Sequence, residues 1–438
     1  MAPLRLYVLA VVLVHTLGHF AYMGLWRHLA APDFDVNDFK AYYTAGLAVR
    51  LGEAGQYLYS DPQQLNLGLL PSQPWVDFAT SHGVPHPSAY IYPPFFAVVM
   101  APLTLLPYHS ANLAWFWLNT ALLAASIGLL VRIARSLSRS QEEGPLSLLA
   151  VCVVFVCLNF FPTIRAMQCG QAGFVLLFLT TAALALCLAP AGAPGGPRGR
   201  SALAGACLAL AAAIKLTPII LIAWLAWAGR RRVAAWGLGW LAAFGAIGLA
   251  VAGWSNHLTY ATGFMPSLAR GAATYANQSI NGFLNRLLTD RSVAVFDFAE
   301  EPALVWWGTR LAAAALLACA FWLTRRSAGP EAQPGRALAL GYGLMVLSTL
   351  MVAPISWEHH YVMALLPLAI LIGCQADGGS LRALALLALA YIAMAMDIFE
   401  LVRKQMPIGS RYALSYVLCG GALLWLLTAR ALRDRRHA

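Results

Sequence analysis

Charge is what this chain has least of. Lysine, arginine, aspartate and glutamate make up 11% of 438 residues against 60% hydrophobic ones, outside the range of soluble globular domains. The net charge of +11 does not signal nucleic acid, because the cations sit singly or in short groups between apolar runs rather than among exposed aromatics. The eight cysteines form no Cys-x-x-Cys, and all but Cys169 fall inside apolar runs, where thiols act as small hydrophobes. A disulfide framework and a zinc site are therefore not expected, and His-Glu-x-x-His is absent. No inverted internal repeat of the transporter kind is visible either.

What remains is membrane sequence. Apolar runs able to cross a bilayer, at about 20 residues each, fall at 4–26, 110–131, 146–162, 171–189, 201–215, 218–228, 233–253, 303–324, 336–353, 361–375, 381–397 and 411–430. The first is long for a signal-peptide core and carries His15 and His19, so it reads as an uncleaved span. The run 94–107 begins at Pro93-Pro94, contains Pro102 and ends at Pro107, which makes it a re-entrant or interfacial segment. Runs 201–215 and 218–228 meet at Lys215-Leu-Thr-Pro218 and can dip rather than cross. The expectation is an all-α polytopic membrane protein of one domain, 1–438, with about twelve spans.

Charge sorts these spans. With both termini inside, the inner loops collect Arg132, Arg135, Arg139, Arg230-Arg231-Arg232 and the Arg433-Asp-Arg435-Arg436 tail, while most carboxylates fall outside. The motif-like segments then share the outer face: 27–93, 163–171, 215–218, 254–302, 354–360 and 398–410. The first outer loop, 27–93, and the second large one, 254–302, would carry the chemistry, and helices such as 39–51 would lie along the interface.

In Asp35-Val-Asn-Asp38-Phe-Lys-Ala-Tyr42, Asp38 and Tyr42 are four apart and share a helix face. A carboxylate beside aromatics at the membrane surface suits a general base acting on a hydroxyl. The plainer reading is an acid in a first helical turn behind an Asn37 cap. Tyr90, Tyr92, Phe95 and Phe96 read as an interfacial aromatic belt, with Tyr92 the exception that would meet a ligand. In Gln168-Cys-Gly-Gln171 the Gln171 amide can bond hydroxyls. Lys215, ending an alanine-rich run, either snorkels to headgroups or meets an anion such as phosphate. Asn277-Gln278-Ser279 concentrates amide and hydroxyl groups, and by pattern is also a glycosylation sequon. Ser356-Trp357-Glu358-His359-His360-Tyr361 is richer in polar groups than a tight connection needs. Its imidazoles can donate to phosphate or sugar, and Glu358 can accept from a sugar hydroxyl or orient a histidine.

These motifs stand in one order: Asp38-Phe-x-x-Tyr42-Tyr43-x-Ala45-Gly46, Gly55-x-Tyr57-Leu-Tyr59, Tyr92-Pro-Pro-Phe95 with Ala101-Pro-Leu103 and Leu106-Pro107, Gly170-Gln171, Lys215-x-x-Pro218, Asn277-Gln-Ser279 and Ser356-Trp-x-His359-His360. The ordered set resembles the polyprenol-phosphate-dependent membrane glycosyltransferases of family 87, which have the GT-C fold. The likeness runs to about residue 375, and Ala172 departs from the Asn or Val usual after Gly-Gln. It implies inverting transfer of a sugar, typically mannose, from a lipid-linked sugar phosphate to an acceptor hydroxyl on the outer face of the membrane. It also implies Asp38 as base and no metal or other cofactor, the lipid-linked sugar being substrate.

Substrate contacts are expected from Tyr42, Tyr92, Gln171, Lys215, Asn277, Gln278, Glu358, His359 and His360. The partners are then the polyprenyl-phosphate sugar donor, a lipid or glycan acceptor and membrane lipids, in a bacterial plasma membrane with the site facing outward. A transporter or flippase of lipid-linked sugars is the contrasting class, but its polar groups belong near the midplane of repeat-related halves. A glycan polymerase or ligase shares most of these features and differs in its product.

Overall fold

The structure is a computed structural model that describes residues 14, 16–18, 37–59, 71–138, 147–190, 192–296, 298, 300–325, 334–376, 378–397 and 408–433. Most of the first apolar run, together with Asp35 and the side chain of Asn37, lies outside the described residues. All regular structure among the described residues is helical, apart from one isolated bridge between Asn277 and Trp357.

The leading helices are α1 (Asn37–Arg50), α2 (Pro94–Met100), α3 (Tyr108–Leu137), α4 (Leu148–Leu158), α5 (Phe161–Gln168), α6 (Gly173–Leu188), α7 (Gly196–Ile214), α8 (Ile219–Trp227) and α9 (Arg231–Ala252). After them come α10 (Ile280–Leu288), α11 (Ala303–Thr324), α12 (Pro334–Val352), α13 (Leu365–Gln375), α14 (Leu381–Ala395) and α15 (Tyr416–Arg433). Local chemistry sets their limits. Ser147, Ser279 and Ser380 cap α4, α10 and α14 by accepting the backbone N–H of Ala150, Gly282 and Ala383. Proline opens α2 and breaks the chain before α8, where its missing N–H costs nothing.

Among the described residues, five helices are long and apolar enough to cross a membrane: α3, α9, α11, Gly335–Val352 and Arg411–Arg433; α4 and α5, bent by 47° at their break, make up to six. This fits an integral membrane protein, while the twelve apolar runs of the sequence exceed the helices with spanning length. Hydropathy counts apolar runs, but Asn159–Phe160 interrupts one of them, and short helices such as α8 and α13 occupy others. The run 94–107 becomes α2 followed by a 3-10 turn, Ala101–Leu105, also too short to cross.

The bundle is layered. Gly335–Val352 is 83% buried and forms the centre, whereas α9 and α11 are 22% and 17% buried and sit at the periphery. Their outward side chains, such as Leu238, Trp240, Trp307 and Leu311, are apolar, as lipid contact requires. Helix α1 is not interfacial. Phe39, Tyr42, Ala45 and Ala48 are all fully buried, so the spacing that reads as a membrane-facing stripe is packing inside protein. The aromatic belt is corrected in the same way: Tyr90, Phe95 and Phe96 are buried. Phe96 packs edge-on against Tyr42 with ring centroids 4.9 Å apart.

Gly46 sets how closely α1 lies on α2. A Cβ there would stand 2.7 Å from the Met100 carbonyl carbon and 2.9 Å from Ala101 N, both backbone atoms that cannot yield cheaply. Gly46→Val should therefore lower the melting temperature of the detergent-solubilised protein by several degrees, as overpacking costs about 1–3 kcal/mol. Gly55→Ala, where a Cβ meets nothing within 4 Å, should leave it unchanged within error. Equal loss in both variants would show that the α1–α2 contact is not the limiting one.

Candidate active site

Three turns of chain converge on the Asp38 carboxylate. Helix α1 brings Asp38 in its first turn, and the Asp38 backbone N–H donates to the Cys169 carbonyl at 3.4 Å. The Cys169–Gly170–Gln171 turn needs Gly170, whose φ of 58° is in the left-handed region, and Trp115 Nε1 donates to its carbonyl at 2.8 Å. That turn aims Gln171 back at α1. Its Nε2 donates to Asp38 Oδ2, while its Oε1 accepts from the Tyr42 and Tyr92 hydroxyls, each at 3.2 Å. Tyr42 also donates to the Tyr92 hydroxyl at 2.8 Å. The i, i+4 pairing of Asp38 and Tyr42 thus exists, with Gln171 as its link.

Two cations act on this carboxyl. Burial raises Asp38 from the usual carboxylate range to about 6, and the Gln171 hydrogen bond, Arg165 and Lys215 oppose the rise. Lys215 follows the last turn of α7, and its Nζ lies 2.6 Å from His360 Nε2. His360 Nδ1 accepts the Trp357 backbone N–H at 3.0 Å, so the neutral ring carries its proton on Nε2. An ammonium and an N–H then face each other, an arrangement relieved by an intervening anion or by loss of one proton. The Lys215 and Arg165 cations add to burial in holding the His359 ring neutral.

Tyr92, Gln171, Lys215 and His360 line one cleft of about 630 Å³, counted with its open mouth. Its far wall is apolar, built from residues such as Leu176, Leu221, Val346 and Leu350. Ser356 also faces the cleft, and its Oγ is buried with no hydrogen-bond partner. His359 stands beside His360, ring centroids 4.6 Å apart and perpendicular, with its Nε2 buried and unpartnered.

Glu358 pairs with Arg165, whose Nε is 3.3 Å from Oε1. Burial lifts Glu358 to about 7 despite that cation. Arg165 did not stand out in the sequence, although it is the one cation of the 163–171 loop and Glu358 the one carboxylate of 354–360.

Asn277 and Gln278 lie apart from the cleft lining. Asn277 Nδ2 donates to the Ala272 and Pro354 carbonyls, both at 3.0 Å, and its Oδ1 accepts the Ser356 N–H at 3.0 Å. Gln278 Nε2 donates to the Tyr275 and Leu414 carbonyls, and its backbone N–H reaches the Ser356 carbonyl at 2.7 Å. Both amides are occupied in joining three segments, and what they hold is Ser356. Arg286, fully buried, ties the same frame to α15 through Ser415 Oγ and the carbonyls of Ala273, Thr274 and Asn277. No group of three or more His, Cys, Asp or Glu suited to a metal ion occurs among the described residues.

Comparison with known proteins adds the family. The model of glycosyltransferase family 87 matches residues 90–354, which includes Tyr92, Gln171, Lys215, Asn277 and Gln278 but not Asp38, Tyr42 or 358–360. A polyprenol-phosphate-mannose-dependent alpha-(1-2)-phosphatidylinositol pentamannoside mannosyltransferase of Mycolicibacterium smegmatis is 30% identical over 322 residues, 70% of this chain and 68% of that one. The protein of the same name from Mycobacterium tuberculosis is 28% identical over 286 residues, 65% of this chain and 58% of that one. A phosphatidylinositol mannoside mannosyltransferase of M. smegmatis, likewise polyprenol-phosphate-mannose-dependent, is 30% identical over 305 residues, 66% and 62% of the two. No solved structure matches. The chain belongs to glycosyltransferase family 87 and is, by that membership, a glycosyltransferase.

Proposed function

We propose that the protein moves a sugar, with mannose the first candidate, from a polyprenyl-phosphate donor to a hydroxyl of a lipid or glycan acceptor, with inversion. The observation that carries this reading is a raised carboxyl, Asp38, hydrogen-bonded by Gln171 of a cleft that a cation–imidazole pair also lines and whose far wall is apolar. The relatives' names supply the donor: all three are polyprenol-phosphate-mannose-dependent. Their acceptors, phosphatidylinositol mannosides, make a glycolipid the acceptor class to test first.

In this reading the acceptor oxygen attacks the anomeric carbon as the bond from that carbon to the phosphate oxygen breaks. Asp38 takes the acceptor's proton, and the polyprenyl phosphate leaves with the bonding electrons. One displacement needs one base, which is why a single carboxyl suffices. By analogy with glycoside hydrolysis the transition state is oxocarbenium-like, so the developing phosphate charge needs donors rather than an acid. Lys215 and His360 fill that role, the two facing groups parting so that each donates to the anion. Ser356 Oγ offers a sugar hydroxyl a buried partner. Gln171, Tyr42 and Tyr92 position the base, Arg165 and Glu358 set the field around it, and Asn277 and Gln278 hold Ser356. His359 supports the phosphate site from behind. No metal enters the step.

The whole chain, 1–438, acts as one domain. Both termini are cytoplasmic, the shorter helices complete about twelve crossings, and the cleft opens to the outer face of a bacterial plasma membrane. The gathering of polar groups at one end of the bundle favours transfer over transport, and product analysis separates transfer of one sugar from glycan polymerisation.

Asp38→Asn should reduce transfer by at least about 10²-fold, the usual contribution of a general base. It should not reduce stability. A buried carboxyl with a folded pKa near 6, above its unfolded value, opposes folding when ionised, and that cost fades as pH falls from above 6 toward 4. The melting temperature of Asp38→Asn at pH 7.5 should therefore match or exceed that of the wild type. In the wild type kcat/KM should decline as pH drops through about 6 with a slope of one proton, and Glu358→Gln should leave that limb in place. An active Asp38→Asn, or an inactive Asp35→Asn beside it, would move the base elsewhere.

Lys215 as a phosphate contact acts as a point charge, so Lys215→Arg should retain part of the activity and Lys215→Met little. Membranes carrying each variant, given radiolabelled polyprenyl phosphate mannose, would show the loss as a raised donor KM. If Lys215→Met raises only the acceptor KM, the lysine serves the acceptor.

A further inference from the structure

A second concave site lies at the other end of the bundle and shares no residue with the cleft. Arg200, Ser201, Gly229, Arg230, Arg231 and Arg232 line an opening of about 960 Å³, counted with its mouth, and no carboxylate is among its lining residues. Helices α7 and α9 run side by side in the same direction from this point. A Cβ at Gly205 of α7 would stand 2.6 Å from Gly237 N of α9, so the two backbones touch halfway along α7 and about two turns into α9. At their far ends α7 delivers Lys215 to the cleft, and Gly248 of α9 comes within van der Waals range of Phe95. Helix α9, one of those apolar enough to cross a membrane, has 22 residues and spans about 33 Å at 1.5 Å each, enough for the roughly 30 Å hydrocarbon core of a bilayer. The arginine pocket therefore sits at the headgroup level of the leaflet opposite the cleft.

We propose that this pocket binds the phosphate headgroup of an anionic phospholipid of that leaflet. Guanidinium groups suit the site because their planar donors match phosphate oxygens in pairs. Clusters of basic residues between helices at the membrane boundary are the form that anionic-lipid recognition takes. The surroundings belong to a lipid rather than to a soluble anion. Trp227 and Trp236, exposed at 56% and 48%, stand at the same level, as indoles do at a bilayer boundary. From there α9 presents Leu238, Trp240, Ile247, Leu249 and Val251 outward, an apolar face along which acyl chains can lie. Orientation of the protein by charge alone would need the cations on this side but no concavity to hold them. The inference does not rest on the transfer reaction, since the pocket shares no residue with the cleft.

The test uses the full-length protein in neutral detergent, with phosphatidylglycerol, phosphatidylcholine and inorganic phosphate as probes, read by native mass spectrometry and thermal shift. Retained phosphatidylglycerol and a melting temperature raised by several degrees are expected for the wild type and for Asp38→Asn. The triple variant R230Q/R231Q/R232Q should bind phosphatidylglycerol at least about 10-fold more weakly. Because that variant can insert wrongly, R230K/R231K/R232K keeps the charge while losing the paired donors, and should also bind more weakly than the wild type. The control R132Q/R325Q, basic residues outside the pocket lining, should bind as the wild type does. Equal weakening in the control would reduce the effect to diffuse charge and overturn the proposal. So would equal stabilisation by phosphatidylcholine, full stabilisation by millimolar phosphate alone, or undiminished binding by the lysine triple.

Discussion

A carboxylate placed beneath the protein surface must be compensated, and the way Asp38 is compensated organises this molecule. Burial alone would keep it protonated and useless as a base. Full ion pairing would hold it ionised but poorly basic. The structure takes an intermediate course: one amide hydrogen bond from Gln171, with the charges of Arg165 and Lys215 acting on the carboxyl without an ion pair to either among the contacts found. The result is a carboxyl poised near 6, ionised at neutral pH yet more basic than a surface aspartate. Tyr92 donates to Gln171 Oε1, and Tyr42, its single proton shared between Tyr92 and that same oxygen, reinforces the amide's orientation. That leaves Nε2 no choice but to face Asp38.

The second constraint is mechanical. The 354–360 segment must turn between α12 and α13, deep in the bundle, while presenting Ser356 and His360 to the cleft. Its own backbone cannot close that turn in regular structure, so the 272–279 segment supplies the missing hydrogen bonds. Asn277 takes the Pro354 carbonyl and the Ser356 N–H, Gln278 takes the Ser356 carbonyl, and the Glu358 N–H goes to the Ala276 carbonyl. Non-helical backbone at this depth is tolerated only when satisfied in this manner. Arg286 extends the same logic with a buried cation balanced by carbonyls and a hydroxyl instead of a carboxylate.

The ordered motifs made the candidate site partly legible from the residues. The i, i+4 spacing of Asp38 and Tyr42 survives in the structure because both belong to one uninterrupted helix. Lys215 and His360, both singled out in the sequence, meet in the structure although 145 residues separate them. What failed to read correctly was the difference between residues that face a cleft and residues that build it. Asn277 and Gln278 carry the donor chemistry a sugar site would use, but their partners are backbone groups that no sequence spacing reveals. Arg165 was silent for the opposite reason. A lone cation at the end of an apolar stretch looks like a topology signal until its carboxylate partner, 193 residues away, is seen.

Apolar runs and straight spanning helices part company at the same places where polar groups gather. A run of apolar residues registers as a span whether it is one straight helix or two short ones. Yet a break inside a run is the only way to bring backbone turns and polar side chains to membrane depth. The Asn159–Phe160 break lets α5 bend by 47° and carry Arg165 toward Glu358. Lys215–Pro218 ends α7 early enough that an ammonium stands beside His360 instead of in a headgroup layer. The 3-10 stretch Glu358–Ala364 shortens α13 and turns His360 toward α7. Each interruption costs spanning length and yields a polar group within reach of the cleft. The excess of apolar runs over spanning helices is therefore the structural counterpart of a polar cleft assembled from helix ends.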